Sequence, residues 1–238
     1  MALLTPKRED TVISGTMENP GRIVFLVFAL ALVAGCAEQP ANVAPETTQS
    51  PAIQPARSLP APREETAPAV FKIDFQTSQG LFVVEVKRAQ APHGADRLYS
   101  LVKANYFDGS RFYRVVPGFI VQWGAAADPA VSEAWHTGIQ DDPVNATNAR
   151  GTLTFAAPPG APNSRSTHMF INYDDNDRLD GMGFEPVGKV VSGMEIVDKI
   201  YPYYGERPDQ GGIRAQGNAY LTRMYPKLDY IKTARIEP

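Results

Sequence analysis

The sequence predicts a mainly β fold over residues 70–238, and three stretches carry that expectation. Val70-Phe71-Lys72-Ile73-Asp74-Phe75-Gln76 alternates apolar and polar side chains, the period of a half-buried strand. Ser78-Gln79-Gly80 turns the chain, and Leu81-Phe82-Val83-Val84-Glu85-Val86 returns it as a hairpin. Further on, the apolar runs Val115-Val116 and Phe119-Ile120-Val121 flank Pro117-Gly118, so the pattern reads strand, tight reversal, strand.

The remaining elements follow in order. Ala91 to Asp96 leads into a helix over Arg97–Ala104, where Leu98, Leu101 and Val102 recur at helical spacing. Tyr106-Phe107-Asp108-Gly109 carries the chain to Phe112. From Ala125 to Arg150 Gly, Pro, Asp and Asn dominate, which predicts loop. Gly151–Ala157 is a strand, and Gly188–Val191 is a strand running into a helix over Gly193–Ile200. Glu206–Gly212 reads as a polar loop, Asn218–Tyr225 as a short helix, and Leu228–Ile236 as the last strand.

The hairpin at Pro117-Gly118 holds the chemistry. Residues i and i+2 of a strand share a face, so Ile120 and Gln122 point the same way. With Arg114 they make a polar spot on an apolar floor. One reading is an ordinary core hairpin whose arginine reaches out to water. The other is a site that grips something with an apolar part and a carbonyl, a description that a proline-containing peptide fits.

These residues resemble a known family. Phe112-Tyr113-Arg114-Val115-Val116-Pro117-Gly118-Phe119-Ile120-Val121-Gln122-Trp123-Gly124 is similar to the F-H-R-x-x-x-G-F-x-x-Q-G-G signature of the cyclophilins, the peptidyl-prolyl cis-trans isomerases. Gly151–Ala157 resembles G-x-L-S-M-A-N, and Ser164–Asn172 resembles N-x-S-Q-F-F-I. Leu179-Asp180-Gly181 resembles W-L-D-G, and Gly188–Ile200 resembles F-G-K-V-x-x-G-M-x-V-V-D. The blocks run in order from about Val70 to Ile200. The resemblance implies a closed eight-stranded antiparallel barrel capped by two α-helices. It also implies that Arg114, Gln122 and Phe119 are catalytic, and that Phe112, Ile120, Ala156, Phe170 and Leu179 contact the substrate. Arg114 would donate to the proline's carbonyl and towards its nitrogen, with Gln122 holding it. Amide rotation requires no nucleophile, so no cofactor and no metal are expected.

The sequence departs from the family pattern at several places. Arg178 stands where eukaryotic members carry Trp, His168 stands at the Gln of S-Q-F-F, and Ala157 replaces an Asn. Met182–Pro186 occupies a stretch that usually brings a His and has none. His168 is expected to be packed or hydrogen-bonded rather than a proton shuttle. Asp174–Asp177 lacks the Gly and terminal Glu of a calcium loop and reads as a solvated turn. Phosphate loops, G-x-S-x-G elbows and histidine-based metal spacings are all missing from the sequence.

A formal net charge of −3 with no run of Lys or Arg excludes a nucleic-acid partner held through a basic face. Cys36 is the only cysteine, so no internal disulfide can form. Ile23–Ala34 is unbroken apolar sequence behind Arg22. It falls short of the roughly 20 residues that span a bilayer and suits the core of a secretion signal. Val33-Ala34-Gly35-Cys36 resembles a bacterial lipobox, the alternative being a free cysteine behind an ordinary signal. The reading is a signal peptide over residues 1–35, with Met17 as the true start, and a Pro- and Ala-rich mobile tether over residues 36–69. The isomerase domain then covers residues 70–238. A lipidated Cys36 would hold the protein at a membrane, and Ala37 after it favours the outer membrane of a Gram-negative envelope. The expected partners are proline-containing chains and the membrane, and a monomer is expected. The rival reading is a barrel of the same fold that binds such chains without turning them over.

Overall fold

The computed structural model describes residues 62–158 and 160–238. The expected signal segment, Cys36 and most of the tether lie outside the described residues.

Eight strands form one antiparallel sheet: β1 (Val70–Thr77), β2 (Leu81–Lys87), β3 (Arg114–Val116), β4 (Ile120–Trp123), β5 (Thr152–Phe155), β6 (Met169–Asn172), β7 (Pro186–Ser192) and β8 (Ile231–Ile236). Their spatial order is β3-β4-β6-β5-β7-β2-β1-β8. The alternation in β1 does what period-2 patterning requires: Phe71, Ile73 and Phe75 are buried while Lys72 and Gln76 are exposed. The sheet curls around a core in which Phe75 stacks on Phe82 at 4.9 Å between ring centroids. Trp123 packs edge-on against both Phe75 and Phe112, at 5.9 and 5.4 Å.

The closed barrel is not formed. The ladder stops at β3 on one side and β8 on the other, and these two strands do not pair. Residues ahead of β3 bond instead to the start of β8 and the stretch just before it: Gly109 N–H donates to the Ile231 carbonyl, Ile231 N–H to the Ser110 carbonyl, and Phe112 N–H to the Asp229 carbonyl, at 2.8, 2.8 and 3.0 Å. The free edge of β3 is taken by a loop, because Val115 N–H donates to the Gly205 carbonyl at 3.1 Å.

Helix content also differs from the two expected caps. α1 (Pro92–Lys103) opens on Pro92, whose missing N–H costs nothing in a first turn. Its own N-terminal residue supplies no side-chain cap, yet Asp142 accepts from the N–H groups of His93 and Gly94 at 2.9 and 2.8 Å. The loop after β4 therefore caps α1 from a distance, with a carboxylate at the positive end of the helix. Within that loop Asp128 caps a short α2 (Pro129–Ala134). The second expected helix shrinks to α3 (Met194–Val197). The expected polar loop at Glu206–Gly212 gives way to α4 (Gln210–Gln216), capped by Asp209, and α5 (Asn218–Met224) follows.

The last residues of the expected tether are fixed rather than mobile. Glu65 and Ala67 N–H groups donate to Ser100 and Asp96 of α1, both at 2.8 Å. Ala67 is part of the core cluster.

Candidate active site

The β3–β4 reversal is a turn in which Phe119 N–H donates to the Val116 carbonyl at 3.0 Å. Pro117 presets its first corner, and Gly118 takes the second at φ +71°, a left-handed conformation that glycine adopts without strain. The reversal sets the register. Arg114 pairs with Gln122, Gln122 with Phe170, and Phe170 with Thr154, so one row crosses β3, β4, β6 and β5. Odd neighbours such as Val115, Val121, Ile171 and Leu153 turn to the core.

On the outer face of this row Ile120, Phe170 and Leu179 form their own apolar cluster, with Phe119, Ala156 and Phe184 packed around it. Leu179 arrives on a 3-10 helix (Asp177–Met182) and is 6% exposed. Two guanidinium groups approach Phe119, with Arg178 4.6 Å and Arg114 5.7 Å from its ring centroid. Such contacts are cation–π attractions.

A hydrogen-bonded relay runs along the polar side. Arg114 Nη1 donates to Gln122 Oε1 at 3.1 Å, and Gln122 Nε2 donates to the Tyr113 hydroxyl at 2.9 Å. The hydroxyl oxygen is 2.8 Å from His168 Nδ1. Having accepted from Gln122, Tyr113 has its proton free for the imidazole, which then accepts as the neutral ring. Burial pushes the Tyr113 phenol well above its ordinary value, which keeps that proton in place. Burial, with the charge of Arg214 added, lowers His168 to about 4. At its other edge Arg114 donates Nε to Glu206 at 2.7 Å.

Behind the apolar cluster lies a buried polar network. Asn148 donates its main-chain N–H and its Nδ2 to Asp180, at 2.9 and 2.7 Å. Its Oδ1 accepts from Thr154 at 2.9 Å and Asn172 at 3.2 Å. Asn172 in turn accepts from Asn176, whose Nδ2 also reaches the Phe119 carbonyl at 3.0 Å. Burial works to raise the Asp180 carboxyl, but the bonds from Asn148 and Thr147 outweigh it and hold the group below its usual value.

An arginine fixed beside an apolar floor can donate to a carbonyl while a ring settles next to it. Residues 72–213 match the family model described as cyclophilin type peptidyl-prolyl cis-trans isomerase/CLD. The chain belongs to the cyclophilins. A peptidyl-prolyl cis-trans isomerase of Acinetobacter baylyi is 34% identical over 133 residues, covering 54% of this chain and 70% of the relative. Peptidyl-prolyl cis-trans isomerase B of Escherichia coli is 31% identical over 136 residues, covering 54% and 82%. The fold is shared with a cyclophilin of Cryptosporidium parvum solved in the presence of the dipeptide Ala-Pro, at 20% identity and a TM-score of 0.52, covering 70% of this chain and 99% of that one. A cyclophilin from Hirschia baltica gives 0.53 at 14% identity, covering 71% and 75%.

This cyclophilin brings Arg114, Phe119, Ile120, Gln122, Ala156, Phe170 and Leu179 to one face. Phe112 is not among them. It precedes the regular part of β3, its N–H goes to Asp229, and its fully buried ring packs on Trp123 inside the sheet. Where the family brings a His, Phe184 packs edge-on to Phe170 at 6.0 Å, so an aromatic wall replaces a polar one. Arg178, at the place of the Trp, covers Phe119. Sequence reading missed Tyr113, Glu206 and the asparagines. Tyr113 carried a signal, since it replaces the His of the family's F-H-R, but a polar loop residue such as Glu206 carried none.

Proposed function

We propose that this cyclophilin accelerates rotation about X-Pro bonds in chains folding in a bacterial cell envelope, and that it does so through Arg114. A prolyl amide owes its barrier of about 18–20 kcal/mol to resonance. A site that binds the twisted amide better than either planar form lowers that barrier without covalent chemistry. Ile120, Phe170 and Leu179 offer the floor for the pyrrolidine ring, with Phe119 and Ala156 at its rim. Arg114 donates to the proline carbonyl and towards the nitrogen as it loses resonance. Gln122 orients the guanidinium and meets the substrate backbone. The observation that carries this reading is the placement of an oriented, only 27% exposed Arg114 side chain beside that apolar cluster.

The test is exchange of a short X-Pro peptide by the full-length protein and by Arg114→Ala. Loss of roughly 10²–10³-fold in kcat/KM, the scale of removing a preorganised donor, supports the reading. The rival is a binding module of the same fold. Ala157 and Phe184 favour it, since both remove polar groups that the family pattern supplies. Peptide binding without exchange, unaffected by Arg114→Ala, would decide for the module.

The amino-terminal part of the proposal stands on sequence. Translation starts at Met17, Cys36 is lipidated after removal of residues 17–35, and a tether beginning at Cys36 lets a monomeric domain reach proline-containing chains from the outer membrane. Mass spectrometry of the mature protein tests this: an acylated amino-terminal Cys36 is expected, and an intact segment ahead of it would end the idea.

A further inference from the structure

Glu206 sits on the arginine that the proposed mechanism uses, and the loop that carries it is built onto the sheet. Val115, the neighbour of Arg114, donates its N–H to Gly205 at 3.1 Å. Gly205 closes a turn on the Pro202 carbonyl at 2.9 Å, with φ +57°, and so points its own carbonyl back at β3. Arg207 locks the turn from the other side, donating Nε and Nη2 to the carbonyls of Tyr204 and Tyr203 at 3.2 and 2.6 Å. Tyr225 donates its hydroxyl to the Arg207 carbonyl at 2.8 Å and packs edge-on against Tyr204 at 5.1 Å. Glu206 lies between these two anchors. Its carboxylate accepts from Arg114 Nε at 2.7 Å and stands 2.5 Å from Nη2.

We infer that Glu206 is a positioning residue for Arg114. A guanidinium has one N–H on Nε and two on each terminal nitrogen. The Glu206 carboxylate accepts from Nε and stands against Nη2 as an ion pair, and Gln122 takes one donor of Nη1. That leaves N–H groups on both terminal nitrogens for the carbonyl and the nitrogen of a twisted amide. Without Glu206 a long, rotamer-rich side chain would have to be ordered at each turnover. The pair is not there for stability. The Glu206 side chain is 60% exposed, and ion pairs so placed contribute little to folding.

This inference rests on the isomerase reading of Arg114, and the experiment separates the two. Exchange of an uncharged X-Pro peptide is measured for the full-length protein, Glu206→Ala, Glu206→Gln and Arg114→Ala, with a thermal melt of each. Glu206→Ala should lose about tenfold in kcat/KM, chiefly in kcat, with its melting point unchanged; a misplaced catalytic group can cost up to about a hundredfold. Glu206→Gln keeps an acceptor and should recover part of the loss. A Glu206→Ala variant as active as the parent, or more so, would overturn the inference and make Glu206 a bystander or a competitor of the substrate. An inactive parent would remove the isomerase reading instead. In that case the NMR signal of Arg114 Nε–H still judges Glu206: it should exchange slowly with water in the parent and rapidly in Glu206→Ala, and slow exchange in both would sink the positioning role.

Discussion

Arg114 and Gln122 face each other across the β3–β4 hairpin as a directly paired residue couple, with Nη1 3.1 Å from Oε1. The amide of Gln122 is itself held, since its Nε2 donates to Tyr113. A glutamine anchored at one end can hold an arginine still, whereas a free one would follow it. Gln122→Ala should therefore lower kcat/KM by about ten- to a hundredfold, the scale expected when a catalytic group loses its geometry. If the effects of Gln122→Ala and Arg114→Ala simply multiply in the double variant, the two act independently and the coupling is refuted.

The Tyr113–His168 contact sets a pH window. The folded-state value of His168 is about 4, against an ordinary 6.5, so the fold favours the neutral ring. Its contribution to stability is present above the unfolded value and is lost as pH falls from 6.5 towards about 4. Urea midpoints taken across that range should decline in the parent. The decline should be shallower in His168→Gln, which keeps an acceptor for Tyr113 and carries no titratable group. An equal decline in both would place the proton elsewhere. Isomerisation should stay level as pH passes through the ordinary histidine range, because His93 and His136 are exposed and take no part in the relay.

Much of the fold was legible because period-2 alternation reports burial directly. β1, β2 and the β3–β4 hairpin fall where Val70–Gln76, Leu81–Val86 and Val115–Val121 place them. Closure was not legible. It depends on whether two edges meet, and here a loop residue, Gly205, occupies the β3 edge before β8 can. The i, i+2 rule placed Ile120 and Gln122 on one face. Phe112, placed at the substrate by the resemblance alone, lies with Tyr113 just ahead of β3 and is buried inside the sheet. Glu206 was invisible for a different reason: its role comes from a contact made 92 residues away in the chain.

The asparagine network behind the site predicts a stability effect with a functional echo. Asn148 is fully buried and serves Asp180, Thr154, Asn172 and the Phe184 carbonyl. Asn148→Ala leaves several of these groups unpaired in the interior, and should destabilise the fold by about 2–4 kcal/mol. The same variant loosens the 3-10 helix that presents Leu179, so KM should rise while Arg114 chemistry persists. A melting point within a degree or so of the parent's would mean that water replaces the lost bonds.

The strap ahead of β1 makes the starting residue of the folded part a measurable quantity. Arg97 is 4% exposed, yet it carries a full charge into the interior beside Trp135. Three main-chain carbonyls, those of Trp135, Thr137 and Ser166, receive its Nη1, and among the described residues the only carboxylate on it is Glu64. Breaking a buried pair by removing one partner can cost about 3–5 kcal/mol. Glu64 is half exposed and the carbonyls remain, so a smaller cost of about 1–2 kcal/mol is expected for Glu64→Ala. A chain that begins at residue 70 also loses Ala67 from the core and the two bonds to Asp96 and Ser100. It should melt below a chain beginning at residue 62, by more than Glu64→Ala alone. Equal melting points would return residues 62–69 to the tether and leave Arg97 satisfied by carbonyls alone.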